Sequence, residues 1–335
     1  MQKHNRPAGH ILLAVLFFAA LPLFGSCAQR PHKVYRVGII SGSDAFIDIA
    51  EGFKSKMKEL GYIEGKNISY DLRKTNFEPL LEELILKGFV ADKVDLIFAF
   101  PTEPALMAKM AARESKIPVV FAMAGVEESN LVENVRNPGG NITGVRFPNP
   151  ELTAKRFEFL LEFVPRAKRV YLIYDRNYPT NLFALEALYN TAPSLGVTLV
   201  KDPVDNIEGL RSVLSKRAGL GNPGIDAILL MPDILNNSPE GFKEIIDFAH
   251  NCNLPVGGGL DFTADMGAVF SFVPGNIDQG ILAAGLADKI FRGMPAGSIP
   301  VVTPEARLRI NYKVIRSLGL EVNEAVLSRA DEIIR

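Results

Sequence analysis

Asp233 and Asp261 each follow a run of apolar residues that reads as a buried strand, 227–231 and 255–258. A lone carboxylate at a strand end can pair with a ligand ammonium ion through a charge-assisted hydrogen bond. The alternative for either acid is to cap the next loop or helix. Thr102, Glu103 and Pro104 open a helix after another such run, 94–100. Free amides and the positive end of the helix dipole there suit a carboxylate or phosphate. A carboxylate on Glu103 would disfavour an anion at that point unless it turned away, and Thr102 could serve only to cap its helix. Phe46, Tyr178 and Phe262 could wall a pocket around an apolar side chain, or belong to the core.

Patterns for catalysis are missing. There is no G-x-S-x-G elbow, no H-E-x-x-H and no phosphate loop ending in lysine. Of the four histidines, His4 and His10 fall in the leader and His32 in a linker, which leaves His250 on a helix. Gly257, Gly258 and Gly259 lack the following lysine of a phosphate loop, so they read as close backbone packing. No cofactor and no metal are expected.

The elements that position these residues alternate regularly. Residues 34–40 form a near-continuous apolar run, as a strand buried on both faces requires. A helix follows in which Phe46, Ile49, Phe53, Met57 and Leu60 share one stripe, closed by Gly61. Strands at 67–72, 94–100 and 117–122 alternate with helices at 78–87 and 105–113. That order, with short connections, predicts a parallel sheet covered by helices on both faces. Helices at 152–163, 181–190, 207–216 and 240–251 then alternate with strands at 169–174, 197–200, 227–231, 255–258 and 268–273.

The breaker cluster Pro138-Gly139-Gly140 separates the two like halves, and 135–147 reads as the first strand crossing between lobes. A helix at 277–291, extended chain at 299–303 and 307–310, a helix capped by Asn311 and a last helix at 324–334 complete the chain. Two returns of the chain would give three crossings, a hinge about which lobes can close. The expected architecture is α/β: two doubly wound parallel-sheet lobes joined by a three-strand hinge. Lobe 1 is 34–146 plus 274–300, and lobe 2 is 147–273 plus 301–335. In open parallel sheets ligands bind beyond the carboxyl ends of strands. Six loops qualify: 41–46, 101–104, 123–127, 175–180, 232–235 and 259–263. They add Ser41, Asp44, Ala124 and Gly125 to the candidates.

The chain has 335 residues, 47% hydrophobic and 22% charged, with net charge −1. That length holds two ordinary domains, and that charge gives no bulk preference for nucleic acid. Lys3 and Arg6 precede the apolar run 11–24, which suits a signal segment better than a membrane span. Leu23-Phe24-Gly25-Ser26-Cys27 looks like a bacterial lipobox with Cys27 as the lipidated residue, although Phe24 stands where leucine is usual. The alternative is a plain secretory signal over 1–27, with 28–33 as linker. Cys252 is the one further cysteine, so no internal disulfide framework is expected.

Several stretches at their spacings carry a family resemblance: Glu51-Gly52-Phe53, Leu60-Gly61-Tyr62-Ile63-Glu64-Gly65-Lys66-Asn67, and Lys93-Val94-Asp95-Leu96-Ile97. Further along come Asn137-Pro138-Gly139-Gly140-Asn141-Ile142-Thr143-Gly144-Val145, Pro165-Arg166-Ala167-Lys168-Arg169, and Arg329-Ala330-Asp331-Glu332-Ile333. The chain resembles the extracytoplasmic substrate-binding lipoproteins of ABC transporters with a type I periplasmic-binding fold, related to tryptophan and tyrosine transport proteins. The resemblance implies a non-enzymatic, monomeric protein, lipid-anchored on the outer face of the cell membrane or periplasmic. Its partners would be a small polar ligand, an amino acid with an aromatic or branched side chain, and the permease subunits. It also implies that the Thr102 loop faces the ligand and that Asp261 matches an acidic loop. Glu103 departs from the small residues usual there. The alternative is a periplasmic sensing module feeding a membrane receptor kinase.

Overall fold

The structure is a computed structural model that describes residues 1–2, 33–126 and 129–335. The signal segment, the lipobox with Cys27, and Glu127 at the end of one candidate loop lie outside the described residues. Among the described residues no helix is long and apolar enough to cross a membrane.

The first sheet holds β1 (Tyr35–Ser41), β2 (Ile68–Lys74), β3 (Leu96–Phe100), β4 (Val119–Ala124) and β5 (Ile142–Arg146). They run in the order β2-β1-β3-β4-β5, every neighbouring pair parallel. Helices α1 (Ile47–Glu59), α2 (Pro79–Ala91) and α3 (Thr102–Ala111) connect them. β3 and β4 are buried at every residue, as an apolar strand covered on both faces must be. One face packs Phe53, Met57 and Phe98, the other Phe89, Ala105 and Ile97.

The second sheet holds β6 (Arg169–Asp175), β7 (Thr198–Val204), β8 (Ala227–Leu229), β9 (Val256–Gly258), β10 (Phe270–Val273), β11 (Arg307–Asn311) and β12 (Glu332–Ile334). Their order is β12-β11-β10-β9-β8-β6-β7. Around it lie α4 (Asn149–Phe163), α5 (Thr180–Thr191), α6 (Ile207–Ala218), α7 (Ile234–Asn237), α8 (Pro239–Asn251) and α9 (Asp261–Asp265). Two expectations need correcting. β11 runs antiparallel to β10, so this sheet is mixed rather than purely parallel. The helix expected over 324–334 is a single turn, α12 (Glu324–Leu327), followed by β12. β12 pairs with β11 in the register Arg309↔Glu332 and Ile310↔Ile333, and the Asp331 carboxylate accepts from Leu308 N at 2.7 Å.

The chain passes between the sheets three times. The first passage comes after β5, at Phe147 and Pro148, so only the last residue of 135–147 takes part in it, and 142–146 is a strand of the first sheet. The second leads from β10 to α10 (Asn276–Phe291), which packs on α1. The third is 300–306, where Val302 bridges Val145 beside β5 before the chain enters β11. α11 (Tyr312–Ser317) starts as expected, its Val314 N–H donating to the Asn311 side chain at 3.1 Å.

Candidate functional site

A cavity of about 280 Å³ lies between the carboxyl ends of the two sheets. Ser43 and Phe46 reach it from behind β1, Asn76 and Phe77 from behind β2, and Thr102 from behind β3. Tyr178 follows β6, Asp233 and Asn237 follow β8, and Gly259 follows β9. Every one of these follows a strand end, which is where open parallel sheets bind ligands. Most of the wall is apolar: Phe46 meets Phe77 edge to face, with ring centroids 6.4 Å apart. Asn76, Phe77 and Met123 in this wall hold left-handed backbone, with φ of 52°, 58° and 52°. Non-glycine residues held there are strained, and such strain collects at binding sites.

Arg156 is the charged group that sequence reading missed. It projects from α4, is 1% exposed, and lines the cavity. Its Nε donates to Leu152 O at 3.2 Å, Nη1 to Gly259 O at 2.9 Å, and Nη2 to Thr153 Oγ1 at 3.0 Å. No carboxylate pairs with it among the described residues, and burial lowers its pKa to about 10. A signal was available: Arg156 stands four residues from both Leu152 and Leu160, inside the apolar stripe of the helix. Asn237 was missed as well. Its amide nitrogen donates to Met231 O at 2.8 Å and Asp233 O at 2.9 Å, while its Oδ1 is buried without a partner.

Asp233 lines the cavity but its oxygens are occupied. Oδ1 accepts from Asn236 N at 2.7 Å and Asn236 Nδ2 at 2.8 Å; Oδ2 accepts from Asn181 Nδ2 at 2.9 Å and Asp175 N at 3.2 Å. Burial pushes its pKa up to about 6, against the pull of those donors. Tyr178 is held neutral chiefly by burial and then by the negative charge of Glu103 beside it. Glu103 does not line the cavity; its Oε2 is buried and lacks a partner. The Thr102 hydroxyl accepts from Gly125 N at 3.1 Å, tying the start of α3 to the loop after β4.

The other candidates stand elsewhere. Ser41 is buried and donates to Ser43 O at 2.8 Å, and Ala124 O accepts from Phe147 N at 2.8 Å. Asp44 pairs with Lys74 at the exposed rim. Ser41, Asp44, Ala124 and Gly125 do not line this cavity. Asp261 and Phe262 line a second, more polar cavity of about 630 Å³. There Arg309 holds Asp265 at 2.7 Å, Glu332 at 2.8 Å and Asp261 at 3.4 Å. Phe262 stacks edge to face on Phe242, with ring centroids 5.7 Å apart. Among the described residues no group of three or more His, Cys, Asp or Glu side chains is placed to hold a metal ion.

Known proteins resemble this chain in sequence or in fold. A tyrosine-binding protein of Clostridioides difficile strain R20291 is 25% identical over 276 residues, 81% of this chain and 76% of that protein. The structure of an ABC domain in complex with L-Trp from Streptococcus pneumonia superposes with a TM-score of 0.79 at 22% identity, covering 90% of this chain and 100% of that one. A conserved domain protein from Vibrio cholerae gives a TM-score of 0.77 at 24% identity, over 90% and 99% of the two chains. Residues 34–334, both sheets and all three passages between them, match the model of the ABC transporter substrate binding protein family, and the chain belongs to that family.

Proposed function

We propose that this protein is the extracytoplasmic solute-binding component of an ABC importer and that it captures a small polar ligand, an amino acid with an aromatic or branched side chain. The observation that supports this most is the cavity itself. Strand ends of both sheets wall it, it is lined largely by apolar side chains, and few polar groups converge on it. About 280 Å³ lies just below the ~300–1,000 Å³ typical of small-molecule sites, a size for one small solute. Lobes 34–146 plus 274–300 and 147–273 plus 301–335 close on the ligand about the three crossing segments. The closed face then docks on the permease subunits. Ligand must favour the closed arrangement for that signal to exist. The protein works as a binder without catalysis, tethered through Cys27. The tyrosine-binding relative supports the ligand class.

The test is a thermal-shift panel of the twenty amino acids, followed by small-angle scattering with the best hit. The expected result is a raised melting temperature for aromatic or branched amino acids and a smaller radius of gyration on binding. No shift with any amino acid would refute the ligand class.

A further inference from the structure

We propose that Arg156, Asn237 and Gly259 form the head-group subsite of the cavity, reading a carboxylate together with a hydrogen-bond donor on the carbon next to it. This rests on the amino-acid reading above and deepens it. The side chain of the ligand would then lie toward Phe46, Phe77 and Tyr178.

Arg156 carries five N–H groups, of which three are used within the protein. The two that remain belong to the terminal nitrogens, the fork that matches a carboxylate. A guanidinium 1% exposed without a counter-charge is costly to keep. An anion arriving in the cavity supplies what the fold withholds. Asn237 provides the complementary half. Both of its N–H groups are committed to carbonyls, which fixes the amide orientation and leaves Oδ1 as a buried acceptor with no donor.

Gly259 brings the two together. A Cβ built on it would lie 2.6 Å from Asn237 Oδ1 and 3.4 Å from Arg156 Nη1. The unmet acceptor and the under-used donor therefore border one small space that any side chain at 259 would fill. Asp233 is not the partner of a ligand ammonium in this arrangement, because its four acceptances are taken by the chain. An amide oxygen accepts from a hydroxyl as well as from an ammonium group, the ammonium bond being the stronger of the two. The subsite is thus strict about the carboxylate and tolerant of the neighbouring donor.

The experiment is calorimetric titration of the mature chain with L-tyrosine, L-tryptophan and L-leucine. Each is compared with its primary amide, its decarboxylated amine and its α-hydroxy acid. The expected result is that the best of the three amino acids loses at least about 100-fold in affinity as the amide or the amine. The hydroxy acid should stay within about tenfold. Equal binding of an amino acid and its decarboxylated amine would overturn the subsite while leaving the amino-acid reading intact. If none of the three amino acids binds, both fall. The ligand series needs no variant. As a second arm, Gly259→Ala and Arg156→Gln, each checked for folding by circular dichroism, should lose binding of the amino acid. Undiminished binding by folded Arg156→Gln overturns the proposal.

Discussion

Four donors surround the Asp233 carboxylate, yet burial outweighs them and the folded pKa sits at about 6 instead of 3.8. The sign follows directly. The folded state holds this proton more tightly than the unfolded chain, so the group favours folding most below the unfolded value. That contribution disappears as pH rises through about 6. A shift of that size corresponds to about 3 kcal/mol between the limits. Asp233→Asn should therefore flatten the stability curve between pH 4 and roughly 7 and be less stable throughout, since its amide NH₂ must face a donor. Urea melts across that range check it, and a variant with the wild-type slope would contradict it. Arg156 makes the opposite kind of prediction. Arg156→Met removes an uncompensated buried cation, so the ligand-free protein should gain about 1–3 kcal/mol while ligand affinity collapses. A destabilised Arg156→Met that still binds would mark the guanidinium as a structural group.

At the scale of elements, the contact between α1 and α10 ties the returning chain to the first sheet. A Cβ on Gly52 would collide with Ile277 O, and one on Gly280 with Ile49 O. Both clashes are with backbone, which cannot rotate away. Gly52→Ala and Gly280→Ala should each cost about 1–3 kcal/mol, read as a lower urea midpoint with unchanged m-value. The same elements show what sequence alone discloses. The run 94–100 and the stripe of Phe53 and Met57 carry their period on the surface of the sequence, so strands and helices of the first sheet were legible to within a few residues. The tail was not. Residues 324–334 have helical spacing, but Ile333 is fixed by pairing with Ile310, a contact more than twenty positions away that no local pattern contains. The sequence predicts extended chain at 307–310, while the direction of β11 depends on where the third passage brings it in. Of the residues that line the cavity, Phe46, Thr102, Tyr178 and Asp233 stand in loops after strands, which topology identifies from the sequence. Arg156 sits on a helix instead, and its charge reads as a solvated face until the packing shows otherwise.

For the whole molecule, both sheets wall one cavity only while the three passages hold them face to face. An ion pair spans that arrangement: Arg307 at the start of β11 lies 2.7 Å from Asp278 on α10. Its side chains are 57% and 33% exposed, so water and salt screen the pair. Exposed pairs contribute at most about 1 kcal/mol. If the pair favours the arrangement in which the cavity has both walls, Arg307→Ala raises the equilibrium share of the other. Ligand affinity then drops by no more than about fivefold, because a ligand's apparent affinity scales with the population of the competent state. The loss should fade toward zero at roughly 0.5 M salt, where the screening length is a few ångströms. Titrations of wild type and Arg307→Ala at low and high salt decide it. A loss well beyond fivefold, or one that persists in high salt, would mean that Arg307 contributes to the ligand site rather than to closure.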